Sequence, residues 1–296
     1  MTRTDQAFIA AYGRQTSGPE AAGAAPTPAD EPRPLRRHSV GHGPHLGMAR
    51  KTPLAEAIAE RRRQPASAPA GSSAATRLTA FHWPAVVERL ARVAGQQLLA
   101  LAPGLANASL GGVSTGQALG VAGVHSGSGA TTATLALARC LAAVDGPVAV
   151  VDADPAGSGA AAALGVLRTR ALTESLTAGG DHAASVLHAV EDHVSLIVAG
   201  DLEGVEQSGL ASAASALLRT HSATLIDFGS ALDHRGAWSA GAAARLIAAF
   251  RPAGVALVRR GSDLSGAVSA CQRVVEASSA PVLGLIDNRV AAEPVD

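Results

Sequence analysis

Six near-continuous apolar runs limit what this chain can fold into more than any other feature. They lie at 118–124 (ALGVAGV), 147–151 (PVAVV), 194–199 (VSLIVA), 223–227 (ATLID), 254–258 (GVALV) and 282–287 (VLGLID). None alternates polar with apolar residues, so each reads as a strand buried on both of its faces. Between them, Ala-rich stretches near 131–144, 171–178, 182–190, 208–219, 237–249 and 263–277 read as helices. Buried strands interleaved with helices predict an α/β fold, a mostly parallel sheet covered by helices on both faces. No run approaches the ~20 apolar residues that a membrane-spanning helix needs.

Composition narrows the interior. Apolar residues are 47% of the 296, enough for a sizeable core, but aromatics are only 2%, so Ala, Val, Leu and Ile must build it. The two cysteines, Cys140 and Cys271, exclude a disulfide scaffold and a four-cysteine zinc site. Both sit in apolar helical runs, as buried free thiols do, which fits a reducing, cytoplasmic setting. The first twenty residues carry acids early and lack the apolar stretch of a secretory signal.

The neutral net charge conceals two unlike parts. Residues 1–80 are rich in Pro, Ala, Gly and Ser, poor in large apolar side chains, and carry a net charge of +5. Such a segment cannot offset its ordering entropy by burial, so 1–80 reads as a disordered basic tail able to touch an anionic surface. Residues 81–296 carry a net charge of −5 and read as the folded domain. Within the tail, Thr52, Pro53 and the LAEAIAERRR that follows suggest a short helix. His38, His42 and His45 have no carboxylate or thiolate framework that would make them a metal site. The domain opens with a helix over 84–102, with Val86, Val87, Leu90, Val93, Leu98 and Leu101 as its apolar face, expected to pack on the edge of the core.

Chemistry concentrates after the first strand. HSGSGATT (125–132) runs straight into a helix, where glycines let the backbone curl and helix amides face an anion. Gly127, Gly129, Thr131 and Thr132 stand where a phosphate-binding loop places them. Ala130 stands where that loop carries its lysine. The second strand ends in VVDADP, placing Asp152 and Asp154 at the C-terminal sheet edge, and a later strand ends in Asp227 at the same edge. Three acids beside a Gly-rich turn suit a magnesium–nucleotide site.

In order and spacing, the Gly-rich loop, VVDADP, TLIDFG and VLGLIDN resemble the deviant P-loop ATPases that include MinD, ParA and the cytoplasmic bacterial tyrosine kinases. ALTESLTAGGD (171–181) and VSLIVAGD (194–201) are most similar to the tyrosine-kinase branch, the Wzc- and CpsD-like proteins. The resemblance spans roughly 117–290. It implies ATP or ADP with Mg2+, held by a Walker A loop of Gly127, Ser128, Gly129, Ala130, Thr131 and Thr132. Thr131, Asp154 and Asp227 would be metal ligands, with Asp152, Asp154 and Asp227 as the catalytic acids. Asn288 matches the asparagine that contacts adenine. A membrane-bound polysaccharide co-polymerase partner, or self-association, and a peripheral place at the inner membrane through that partner follow from the same resemblance.

Several departures bear on activity. Ala130 replaces the loop lysine, His125 replaces the second lysine of MinD and ParA, and the only lysine in the chain is Lys51. The C-terminus, NRVAAEPVD, has no tyrosine, and Tyr12 is the sole one in the chain. Losing a charge-assisted contact worth ~1.5–3 kcal/mol would weaken binding by one to two orders of magnitude and hydrolysis by more. Three functions fit: a degenerate nucleotide-binding regulator or adaptor linked to polysaccharide export with weak or no ATPase or kinase activity, a MinD/ParA-like positioning ATPase, or a scaffold without nucleotide. Smaller expectations are exposed or capping roles for His182, His188 and His193, packing roles for Trp83 and Trp238, and a loop position for Arg259 and Arg260.

Overall fold

The computed structural model describes residues 75–100, 116–154, 159–167, 169–179, 181–230, 240–261, 264–278 and 280–288. The expectations for residues 1–74, for Trp238 and for the C-terminal residues after Asn288 lie outside these residues. So does the end of the 84–102 helix. Eight strands form one sheet: β1 (Thr76–Leu78), β2 (Gln117–Gly123), β3 (Val148–Asp152), β4 (Val186–Ala189), β5 (Val194–Val198), β6 (Ala223–Ser230), β7 (Val255–Arg260) and β8 (Val282–Asn288). Their spatial order is β1-β4-β5-β3-β6-β2-β7-β8. Only the β4–β5 pair is antiparallel, so β1 and β4 run against the other six. The expected α/β fold with a mostly parallel, two-sided sheet is the fold observed.

Among the described residues seven α-helices accompany the strands: α1 (Ala85–Leu99), α2 (Ala130–Val144), α3 (Ala160–Ala163), α4 (Leu172–Thr177), α5 (Gln207–Thr220), α6 (Ala240–Phe250) and α7 (Leu264–Ser278). Side chains along each central strand alternate between two cores. Val148 and Val150 join α1 and α2 on one face, while Ala149 and Val151 join α5, α6 and α7 on the other. A strand apolar at every position is what a sheet covered on both sides requires. Helix α2 lies between the sheet and α1, and its residues from Ala133 to Ala142 are all buried. Its Ala-rich sequence lets it fit between two layers.

Four expectations need correction. Helix α1 packs on α2 through Val87, Ala91, Ala94 and Leu98, while Val86 and Val93, expected on its apolar face, are 55% and 54% exposed. The stretch 182–190 is not one helix but a 3-10 turn, His182–Ser185, followed by β4. The sheet also begins before residue 81: β1 lies in the stretch read as tail and pairs in parallel with β4. Finally, His188 and His193 are buried, not exposed.

Polar groups fasten this N-terminal edge. The Phe81 backbone N–H donates to Asp192 Oδ2 at 2.7 Å, and Arg139 of α2 donates to Asp192 Oδ1 at 2.9 Å. Arg139 also reaches Glu88 of α1 at 3.5 Å and lies 4.7 Å over the Trp83 ring, which packs edge-on against Phe81. Trp83 is thus the packing anchor expected of it. A second chain of contacts joins β4, β5 and the end of α5. Ser195 Oγ lies 3.0 Å from His188 Nδ1 and 2.8 Å from His221 Nε2, and His221 Nδ1 faces the Leu217 carbonyl at 3.1 Å. All three side chains are buried.

Candidate functional site

The loop between β2 and α2 is built by its glycines. Gly127 (φ +74°) and Gly129 (φ +93°) adopt left-handed backbone that other residues rarely take, and Ser128 N–H donates to the His125 carbonyl at 3.1 Å to close the turn. Gly129 then starts α2, with Ala133 N–H donating to its carbonyl at 2.9 Å. No side chain caps the helix. The N–H groups of its first turn, at Ala130, Thr131 and Thr132, therefore remain available to an anion. Ala130 is 5% exposed, and its methyl group brings no charge to the loop.

Gly123, at the end of β2, lets the loop fold back on the strand. A Cβ there would stand 2.2 Å from Ser128 Oγ, a buried hydroxyl with no hydrogen-bond partner among the described residues. Beneath the loop, Asn288 at the end of β8 donates from Nδ2 to the Ser128 carbonyl at 2.9 Å, and a Cβ on Gly129 would meet the same nitrogen at 2.5 Å. In this structure the Asn288 amide holds the Gly-rich loop, a contact that no sequence spacing announces.

The three acids meet on the other side of the loop. Asp152 ends β3, whereas β6 runs on three residues past Asp227 to Ser230, so Asp227 lies within its strand and not at the end expected of it; the two acids are partners in the β3–β6 register. Asp152 Oδ2 accepts from Ala161 N–H of α3 at 2.7 Å and Oδ1 from Asp154 N–H at 3.3 Å. Burial raises its pKa; the Ala161 and Asp154 backbone N–H groups lower it, and the Asp154 charge adds to the rise. Asp154 lies against Gly229, where a Cβ would come within 2.5 Å of its Oδ1. Gly229, at φ +63°, and Gly159, where a Cβ would stand 2.1 Å from Asp152 Oδ1, therefore make room for the two carboxylates.

Asp227 has no solvent exposure. Its Oδ1 accepts from Gly229 N–H at 3.1 Å, whereas Oδ2 has no hydrogen bond among the described residues. Burial pushes its pKa up to about 7; the Thr131 hydroxyl and the Gly229 N–H act against the rise, and the charges of Asp152 and Asp154 add to it. A buried carboxylate oxygen with no donor, beside a threonine hydroxyl and a second acid, is a set of hard oxygens that fits a small divalent cation. Asp227, Thr131 and Asp154 are the residues that would hold such a cation, and the loop amides those that would hold the phosphates it accompanies.

Arginines occupy the opposite flank. Arg259 and Arg260 belong to β7 rather than to a loop. Arg259 donates to Asp287 Oδ2 at 3.3 Å from a side chain only 13% exposed, and its Nε and Nη1 have no partner among the described residues. Arg260 is exposed and in register with Asn288. Strands β3 and β6, which carry the acids, lie on one side of β2, and β7 with its arginines lies on the other.

A Gly-rich turn opening a helix at the C-terminal edge of a parallel sheet, beside converging acids, defines a P-loop-type nucleotide-binding domain. Residues 119–295, more than half of the chain, match the model of the CobQ/CobB/MinD/ParA nucleotide binding domain, and the chain belongs to that family. Solved kinase domains share the fold. The kinase domain of the Escherichia coli tyrosine kinase ETK is 17% identical, with a TM-score of 0.51 over 71% of this chain and 78% of that one. The BceF tyrosine kinase domain is 20% identical, with a TM-score of 0.50 over 69% of this chain and 78% of its own. The VpsO kinase domain is 18% identical, with a TM-score of 0.50 over 70% and 95%. No curated protein sequence matches significantly. Among the described residues no helix is long and apolar enough to cross a membrane.

Proposed function

We propose that this chain is a nucleotide-binding regulator or adaptor that binds ATP or ADP with Mg2+ and has weak or no hydrolytic or kinase activity. One observation carries the reading: the loop backbone and the acids converge, while the position of the loop cation holds Ala130. Binding needs neutral amide donors and oxygen ligands for a metal, and the loop amides, Thr131 and the acids would supply them. Transfer of a phosphoryl group also needs positive charge where negative charge develops, and the loop brings none of its own. The tyrosine-kinase domains that share the fold support a role beside a membrane-bound polysaccharide co-polymerase, at the cytoplasmic face of the inner membrane. In that role bound nucleotide would set the affinity for the partner.

Calorimetric titration of the full chain with ATP and ADP, with and without Mg2+, tests the proposal against an Asp227→Ala variant. Magnesium-dependent binding in the parent, lost at least tenfold in the variant, is the expected result. No binding at millimolar nucleotide would leave a scaffold that no longer uses the site.

A further inference from the structure

We propose that Asn288 is a positioning residue for phosphate: it holds one peptide of the Gly-rich loop in the orientation that offers the Gly129 N–H to an anion. The inference rests on the nucleotide-binding reading above and assigns Asn288 to the phosphates, not to the base. One contact carries it, from the end of β8 to the loop: Asn288 Nδ2 donates to the Ser128 carbonyl at 2.9 Å. No peptide bond among the described residues is cis. In a trans peptide the carbonyl and the following N–H point in opposite directions. Holding the Ser128 carbonyl on Asn288 therefore turns the Gly129 N–H away from Asn288. There it adds a donor to the N–H groups of Ala130, Thr131 and Thr132 that open α2.

The loop does not fix this peptide by itself. Gly129 has φ +93°, and a glycine takes the opposite sign of φ about as readily. Reversal of the peptide would present the Ser128 carbonyl oxygen to the anion in place of a donor. The preceding peptide is secured differently, because Ser128 N–H donates to the His125 carbonyl at 3.1 Å. Asn288 is in turn held by the sheet, in register with Arg260 of β7. Gly129 leaves room for it, since a Cβ there would stand 2.5 Å from Asn288 Nδ2. With Ala130 where a loop cation would be, backbone N–H groups are what the loop offers a phosphate, so the orientation of each one counts.

Calorimetry on the full chain compares Mg2+–ATP, Mg2+–GTP and the base-free Mg2+–tripolyphosphate in the parent, Asn288→Ala and Asn288→Asp. Affinities are read well below the melting temperature of each ligand-free variant, whose fold is checked by circular dichroism. Asn288→Ala should bind ATP and tripolyphosphate about tenfold more weakly, by the same factor, with the ATP-to-GTP affinity ratio unchanged. Asn288→Asp, which sets a carboxylate against the Ser128 carbonyl, should lose at least as much. A loss confined to ATP, or a changed ATP-to-GTP ratio, would assign Asn288 to the base and overturn the inference. Unchanged affinities with a lowered melting temperature would make the contact merely structural and overturn it as well. Failure of the parent to bind any of the three would overturn the nucleotide-binding reading, and the inference with it.

Discussion

At Asp227, stability and binding make opposite demands. The carboxyl is fully buried and one of its oxygens lacks a donor, so ionising it without a cation is costly. Its folded pKa of about 7 lies above the 3.8 of an ordinary aspartate, so the folded state holds its proton to higher pH than the unfolded state does. Stability therefore falls as pH rises from about 4 to about 7, by at most roughly 4 kcal/mol. Asp227→Asn should accordingly raise the melting temperature of the ligand-free protein at pH 8 and change it little at pH 4. Thermal denaturation across that range checks the first half of the trade. The same variant should lose magnesium-dependent nucleotide binding, because an amide is a poor ligand for a hard cation.

Among the elements, β4 shows how a buried polar contact can replace apolar pattern. Its antiparallel pairing with β5 is backed by the His188–Ser195–His221 chain, which ties it to the end of α5. Burial lowers the pKa of His221 to about 4; its contact with the Leu217 carbonyl opposes the shift, and His188 adds to it. Burial also lowers that of His188, with His193 and Arg77 contributing. For His221 the folded value lies below the unfolded 6.5, so the unfolded state binds more protons between the two. The stabilisation is complete above about pH 6.5 and is lost as pH falls toward 4, by roughly 3 kcal/mol. Urea denaturation at pH 7 and pH 5 should show this slope in the parent and a much flatter one in His221→Gln, once offset for the lost contacts.

For the whole molecule, the sheet depends on a strand that composition assigns to the tail. Strand β1 is three residues long, yet its parallel pairing with β4 continues into Leu78 and Thr79, whose carbonyls accept from Val190 and Glu191 N–H at 3.0 and 2.9 Å. Phe81 then closes on Asp192. A chain beginning at residue 81 should therefore be less stable than one beginning at residue 75 by about 2 kcal/mol, the net worth of a few backbone hydrogen bonds. Chemical denaturation of the two chains measures the difference. The expectation of a tail through residue 80 fails here because Thr76–Leu78 is too short and too polar to show as a strand: the partner, not the segment, makes it one.

What the sequence by itself determined was the central layer and the chemistry of the loop. Strands buried on both faces must be apolar at every position, so β2, β3, β5, β6 and β7 are legible without a structure; β8 is apolar too but lies at the sheet edge, half-exposed, with Leu283 open to solvent. Gly127, Gly129, Asp152 and Asp154 are legible because each ends or follows such a strand, and Asp227 because it closes the apolar run ATLI within β6. Only the tertiary structure decided which face of α1 packs, where β1 and β4 pair, and that Asn288 holds the loop from 160 residues away. It also placed the acids and the arginines on opposite sides of β2. These features come from strand order and close approach between distant segments, and local pattern carries information only about the face a residue shows to its neighbours in sequence.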